Sequence, residues 1–231
     1  YKRQLQSIPV RNWNVKTSYK SWDITAHVSY LSALEDLAYN ALKNKGSDFS
    51  RYRGPKGLEK FEKEAIAKGN DMRPQDVIEW WRISRASVIE ILAKSSPGKK
   101  INWWKNEIDC RTFAVTKLAE TWAHSLDVYE SMNKDYEDTA RIEHVALYGW
   151  LNAEHATKLN KSKFQDLRIE LIGPEYKAWQ FGDENAENSI KVSASDWCRV
   201  VTCRTSKGFK PTLTTEGLFA SNFLKFNQVK I

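Results

Sequence analysis

The chain has 231 residues, 41% of them hydrophobic and ten of them Trp, enough apolar material for one large domain or two small ones. A charged fraction of 28% and a mean hydropathy of −0.61 describe a soluble protein, and no window approaches the roughly 18–20 uninterrupted apolar residues of a membrane-spanning helix. The formal charge of +7 and pI of about 9.2 suit an anionic substrate or cofactor; nucleic acid is not expected, because the basic residues are mostly Lys, spread along the chain and mixed with acids, with Lys99-Lys100 the densest pair.

Three cysteines, Cys110, Cys198 and Cys203, form no CxxC and cannot all pair, which points to free thiols in a reducing cytoplasm. The N-terminus lacks a signal-peptide core. Its first residue is Tyr, and Tyr1 to Leu5 reads as the tail of a helix, so a short N-terminal piece is expected to be missing.

Pro9 stops that first helix and an extended lead-in follows as far as Lys20. Asp23 is the expected N-cap of a helix running to about Lys45-Gly46, with Leu31, Leu34, Ala38 and Leu42 on its core face. His27 extends this series backward by four residues. Gly46 to Pro55 reads as a polar turn, Pro55 to Lys68 as a short helix ended by Gly69-Asn70-Asp71, and Pro74 as N1 of a third long helix. Val77, Trp80, Trp81, Ser84, Val88, Ile91 and Leu92 are its expected buried side, and Ser95 to Gly98 ends it. A linker holding Trp103 and Trp104 leads to a helix from about Arg111 to Met132, and another helix is expected from about Asp138 to Leu159.

The pattern changes near Lys161. Leu167 to Ile172 alternates with period two, Gly173-Pro174 turns the chain, and strands are expected at Lys177–Phe181, Asn188–Val192 and Pro211–Thr215, with helices at Ser195–Thr202 and Leu218–Val229. The expected fold class is α+β: a four-helix bundle over residues 1–160, followed by a small α+β domain over residues 161–231.

The chemistry concentrates on the helix from Arg111. Glu120 and His124 are four residues apart, hence one above the other, on a face marked as apolar by Val115, Leu118, Trp122, Leu126 and Tyr129. A buried charge needs a partner. Oxygen and nitrogen ligands at this spacing suit a divalent metal, and His27 on a facing helix would be a third ligand, leaving a position open. Spacing alone leaves a plain alternative open, that of hydrogen-bonded core histidines and an interhelical Glu–His contact. Asp127, one turn after His124, is a lesser candidate for orienting the site. His144 reads as a packing or ligand-supporting residue and His155 as exposed. The cysteines read as small buried hydrophobes, and Trp80, Trp81, Trp103 and Trp104 as core or loop anchors, with the lining of a pocket as the alternative. No phosphate-binding Gly loop, Ser/His/Asp pattern or zinc-finger spacing is present.

Ser21 to Val28 and Thr116 to Val128 resemble the two metal-site motifs of the DinB-like bundle family, and most closely its mycothiol-dependent maleylpyruvate isomerase group. The resemblance continues through Arg141–Ala146, Glu170–Pro174, Trp179–Gly182 and Asp196–Arg204, and so covers nearly the whole chain. It implies that His27, Glu120 and His124 hold a divalent metal, Zn2+ by preference. It also implies a low-molecular-weight thiol, mycothiol or an equivalent, whose sulfur attacks an electrophilic small molecule in an isomerase or transferase reaction. Arg204 matches a C-terminal arginine of the group, which implies anion binding; a surface salt bridge is the competing reading. Two rivals remain: a non-catalytic, metal-binding or stress-related protein of the same fold, and a basic interaction module.

Overall fold

A computed structural model describes residues 1–43, 51–52, 54, 56–104, 106–205 and 209–226. The expected helix end at Lys45-Gly46, most of the turn from Gly46 to Pro55, and residues 227–229 of the last expected helix lie outside the described residues. The fold is α+β, a helical bundle followed by a small C-terminal α+β region. Packing groups the chain into two units, one comprising residues 1–114 with 124–134, the other residues 115–123 with 135–231.

In the first unit, α1 (Lys2–Gln6) and a 3-10 turn (Val10–Asn12) precede α2 (Ile24–Leu42), α3 (Gly57–Asn70) and α4 (Pro74–Lys94). Asp23 caps α2 as expected, its Oδ1 accepting the Ala26 N–H at 2.9 Å. Pro74 opens α4 at a position that needs no N–H. α2 packs on both α3 and α4. One core cluster gathers Leu34, Leu37, Ala38, Leu42, Phe61, Val88 and Phe113; a second gathers Leu5, Trp13, Ile24, Val28, Leu31, Val77, Trp81 and Val128. Trp80 is half-buried, and its N–H donates to Asp36 on α2 at 2.8 Å.

The linker expected around Trp103 is a β-hairpin, β1 (Lys100–Trp103) and β2 (Asn106–Asp109), in antiparallel register with Lys100 opposite Asp109. Its signal was a short alternation: Ile101 and Trp103 are buried, Lys100 and Asn102 exposed. Trp103 meets Phe113 edge to face at 4.9 Å, and Trp104 takes a left-handed φ of 53° at the turn. Asp109 ends the hairpin and caps α5 (Cys110–Ser131), accepting the Thr112 N–H at 2.7 Å, and this bond holds its carboxyl below the usual range.

In the second unit, α6 (Ile142–Leu151) and α7 (Ala153–Leu159) replace the single helix expected from Asp138. The break falls at Asn152, where the Tyr148 carbonyl accepts both the backbone N–H at 3.2 Å and the side-chain amide at 2.8 Å. Asp138 lies before the helix, and its carboxylate accepts the Trp122 N–H at 2.9 Å. The sheet comprises β3 (Arg168–Ile172), β4 (Ala178–Phe181), β5 (Ser189–Ser193) and β6 (Leu213–Glu216) in the order β4-β3-β5-β6, with only β3 and β5 parallel. Ser193 caps α8 (Ala194–Val201), and α9 (Leu218–Phe226) follows β6.

α8 seats on α6 through Trp197, wholly buried, whose N–H donates to the Ala146 carbonyl at 3.1 Å and whose ring stacks on Phe223. The two helices approach closely at Gly149, where a Cβ would stand 2.7 Å from a methyl of Val201. Gly149→Ala therefore overpacks this contact, with an expected cost of about 1–3 kcal/mol. In urea unfolding, adding Val201→Ala to that background should recover part of the loss, so the double variant is less destabilised than the sum of the singles. Strict additivity would contradict the close approach.

Candidate metal centre

His27 lies in the first turns of α2, directly above Leu31, and is wholly buried. His124 lies on α5, where every residue from Ala119 to Val128 is buried, so over these turns the helix has no solvent face to which a polar side chain could turn. Asp127 follows one turn later and is 2% exposed. The Nδ1 atoms of His27 and His124 stand 2.8 Å apart, and Asp127 Oδ2 is 3.9 Å from each of them. Among the described residues these three form a group whose ligand-type atoms all lie within 4.8 Å of one another.

The donor set fits a divalent cation. Two imidazole nitrogens and a carboxylate oxygen are the ligands that zinc and its neighbours take. Metal–nitrogen bonds of about 2.0–2.1 Å place tetrahedral ligand atoms about 3.3 Å apart, so the nitrogens are slightly closer than that edge and the carboxylate slightly farther. Without a cation, two facing Nδ1 atoms at 2.8 Å share one proton, one ring donating and the other accepting.

Aromatic rings wall the pair. Trp22 stacks nearly parallel to the His124 ring at 6.0 Å, Tyr19 meets that ring edge-on at 5.4 Å, and Tyr30 lies 5.1 Å away. Tyr19 and Trp22 flank a turn in which Lys20 and Ser21 both take left-handed φ values, 50° and 54°, uncommon for residues with a Cβ. Lys20 reaches from this turn to Glu62 on α3 at 2.6 Å. On its other side, His27 Nε2 lies 2.8 Å from Thr17 Oγ1.

The two other expected site residues stand in the second unit. Glu120 is 5% exposed, and its carboxylate lies 2.8 Å from the ammonium of Lys117, itself 3% exposed. Arg204 is also buried, its guanidinium donating to the Thr202 carbonyl at 2.8 Å, which rules out the surface salt bridge as its setting. Glu120 and Arg204 both act on Tyr148. Burial holds its phenol well above the ordinary range, the Glu120 carboxylate and the Cys203 thiol add to that, and Arg204 opposes it.

The remaining candidates sort simply. His155 is exposed as expected; His144 is exposed on α6, so it has no packing role. Cys110 and Cys198 are buried, and burial pushes the Cys198 thiol up, away from nucleophilic reactivity. Trp81 and Trp103 are core residues. Nothing in the sequence marks Thr17 and Tyr19 as site residues, and Trp22 falls in the Ser21–Val28 motif without a role of its own. They precede the first long helix, where no periodicity marks a contact face; for Asp127 the i+3 spacing from His124 was the available signal.

Known proteins bear on this arrangement. A family model described as the mycothiol maleylpyruvate isomerase N-terminal domain matches residues 2–129, a stretch that includes His27, Glu120, His124 and Asp127. Uncharacterised proteins from two strains of Mycobacterium tuberculosis, CDC 1551 / Oshkosh and ATCC 25618 / H37Rv, are each 26% identical over 204 residues, 85% of this chain and 78% of theirs. The crystal structure of the mycothiol-dependent maleylpyruvate isomerase superposes with a TM-score of 0.59 at 15% identity, over 93% of this chain and 87% of that one. A His-to-Ala mutant of that enzyme gives 0.57 at the same identity and coverage. At this identity the likeness shows the fold.

The Lys117–Glu120 pair has a testable energetic consequence. Lys117→Met removes the cation beside a buried carboxylate and should cost about 3–5 kcal/mol in chemical unfolding. Lys117→Met with Glu120→Gln should be more stable than Lys117→Met alone. A near-neutral single variant would contradict the pairing.

Proposed function

The chain belongs to the family of the mycothiol maleylpyruvate isomerase N-terminal domain, and from that premise we propose that it is a divalent-metal- and thiol-dependent isomerase or transferase acting on a small electrophile. The observation that carries the reading is the meeting of His27 and His124 Nδ1 at 2.8 Å in a wholly buried site with Asp127 beside both.

In this proposal His27 and His124 hold the metal, zinc by preference, with a carboxylate of α5 as a further ligand. The geometry supports Asp127 and the family resemblance supports Glu120, four residues before His124. A divalent ion bound there lowers the pKa of a neighbouring thiol and keeps it as the nucleophilic thiolate at neutral pH. The protein's own residues do the rest. Tyr19, Trp22 and Tyr30 exclude water around the imidazoles and keep the local dielectric low, which strengthens every charge interaction made there. Arg204 provides a fixed, permanently charged guanidinium, to which the proposal assigns an anionic group of the substrate or cosubstrate. Addition of a thiolate to a carbon–carbon double bond conjugated to a carbonyl forms a C–S bond and breaks the C=C π bond, whose electron pair moves onto the carbonyl oxygen as an enolate. Rotation about the resulting single bond followed by collapse of the enolate, which expels the same thiolate and restores C=C, gives isomerisation; protonation of the enolate carbon with the sulfur retained gives net transfer. Mycothiol is the thiol in the name of the related enzyme; which thiol and which electrophile serve here is tested with a panel.

A second reading has one observation in its favour. Both histidines are wholly buried, as in sites where an ion only stabilises a fold. Purified without chelators, the protein should hold about one divalent ion per chain under the proposal, and His27→Ala and His124→Ala should each abolish this. At least one of Glu120→Gln and Asp127→Asn should lower the occupancy, and the larger loss identifies the ligand. A metal-free wild type would overturn the metal reading. Saturable thiol-dependent turnover that requires His27 supports the enzyme, whereas full loading with no turnover for any thiol favours the non-catalytic binder.

A further inference from the structure

We propose that Thr17 is a positioning residue that keeps the proton of His27 on Nε2, and so presents Nδ1 as the ligating nitrogen. The proposal rests on the metal reading above and adds to it a residue outside the ligand set, together with an assignment of which ring atom binds.

A neutral imidazole carries one proton, and the nitrogen without it is the one that can bind a metal. His27 Nδ1 faces the convergent group, 2.8 Å from His124 Nδ1 and 3.9 Å from Asp127 Oδ2. His27 Nε2 faces away from it and lies 2.8 Å from Thr17 Oγ1 in buried surroundings. A threonine hydroxyl can donate one proton and accept others, so the contact alone allows either polarity. The Tyr19 carbonyl decides between them. It lies 3.3 Å from the same Oγ1 and can only accept, so it takes the hydroxyl proton. Thr17 Oγ1 is then left to accept, and the N–H it accepts is that of His27 Nε2. The resulting tautomer has its lone pair on Nδ1, aimed at His124 and Asp127. Metal-binding histidines commonly have their second ring nitrogen fixed in this manner.

The backbone holds Thr17 in place from both sides. Its N–H donates to the Trp22 carbonyl at 2.7 Å, and the preceding Lys16 forms an isolated antiparallel bridge with Asp23, reinforced by an ion pair at 2.9 Å. Asp23 is also the residue that caps α2, one turn before His27. One residue therefore anchors both the segment carrying Thr17 and the helical turn carrying the imidazole. Thr17 is itself 6% exposed, so water does not compete for the contact.

Thr17→Val removes the hydroxyl at nearly constant shape, and Thr17→Ser keeps it. Nitrogen-15 NMR of histidine-labelled, metal-free protein should show His27 as the Nε2–H tautomer in the wild type and in Thr17→Ser, and a loss of that single tautomer in Thr17→Val. Titration with Zn2+ against a chromophoric chelator should give Thr17→Val an affinity about 10–100-fold weaker than the wild type, with Thr17→Ser close to the wild type. A proton on His27 Nδ1 in the wild type overturns the proposal, and so does unaltered zinc affinity in Thr17→Val. The wild-type tautomer decides the matter even where Thr17→Val does not fold. Failure of the wild type to take up zinc overturns the metal reading and this proposal with it, and that result precedes any Thr17 variant.

Discussion

Two imidazole nitrogens held 2.8 Å apart with no water-exposed surface impose the constraint around which the first unit is arranged. Such a pair is satisfied in only two ways: by one shared proton or by one shared cation. Burying polar atoms costs free energy unless they are satisfied, so the two helices carrying them must be held in register by interactions made elsewhere. In the first unit, α2 is held against α3 and α4 by two apolar clusters, and its start is set by the Asp23 cap. Asp127 lies within reach of both rings without displacing either, so a carboxylate oxygen stands beside two imidazole nitrogens. That is a donor set a divalent cation takes.

The aromatic wall adds a second requirement. Tyr19, Trp22 and Tyr30 put π-systems instead of water around the His124 ring, which makes an unsatisfied charge there more costly and a satisfied one more effective. The turn that brings Tyr19 and Trp22 to the site holds two consecutive left-handed residues. Its Lys20 is fixed to Glu62 and lies over both aromatic rings, at 5.4 and 5.3 Å. Backbone strain and a charged anchor in one short segment show that this cover is held by specific interactions.

Much of this was legible in the sequence where one element carries its own signal. The Asp23 cap, the core series Leu31, Leu34, Ala38 and Leu42, and Pro74 at N1 follow from local rules that need no tertiary information. The inward placement of His27 and His124 followed from the same periodicity, and the structure brings their Nδ1 atoms together. Periodicity names a face, however, and does not rank the polar residues on it. Glu120 and Asp127 both flank His124 on α5, one four residues before it and one three after. Lys117, at i−3 from Glu120, is the observed partner of that carboxylate, while Asp127 stands with the imidazoles. The β1–β2 hairpin is hard to read because four-residue strands offer only two turns of alternation, and the break at Asn152 because buried small residues continue across it, from Gly149 to Ala153 and Ala156. Thr17 belongs to irregular chain, where no period exists to read.

The central claim is that His27 and His124 hold a metal ion through Nδ1. A crystal structure of the zinc-loaded protein, with anomalous scattering at the zinc edge, tests it most directly. The account predicts one ion at about 2.0–2.1 Å from both Nδ1 atoms, with a carboxylate oxygen of α5 as a further ligand. A site without zinc at full occupancy elsewhere, or coordination through either Nε2, would contradict it.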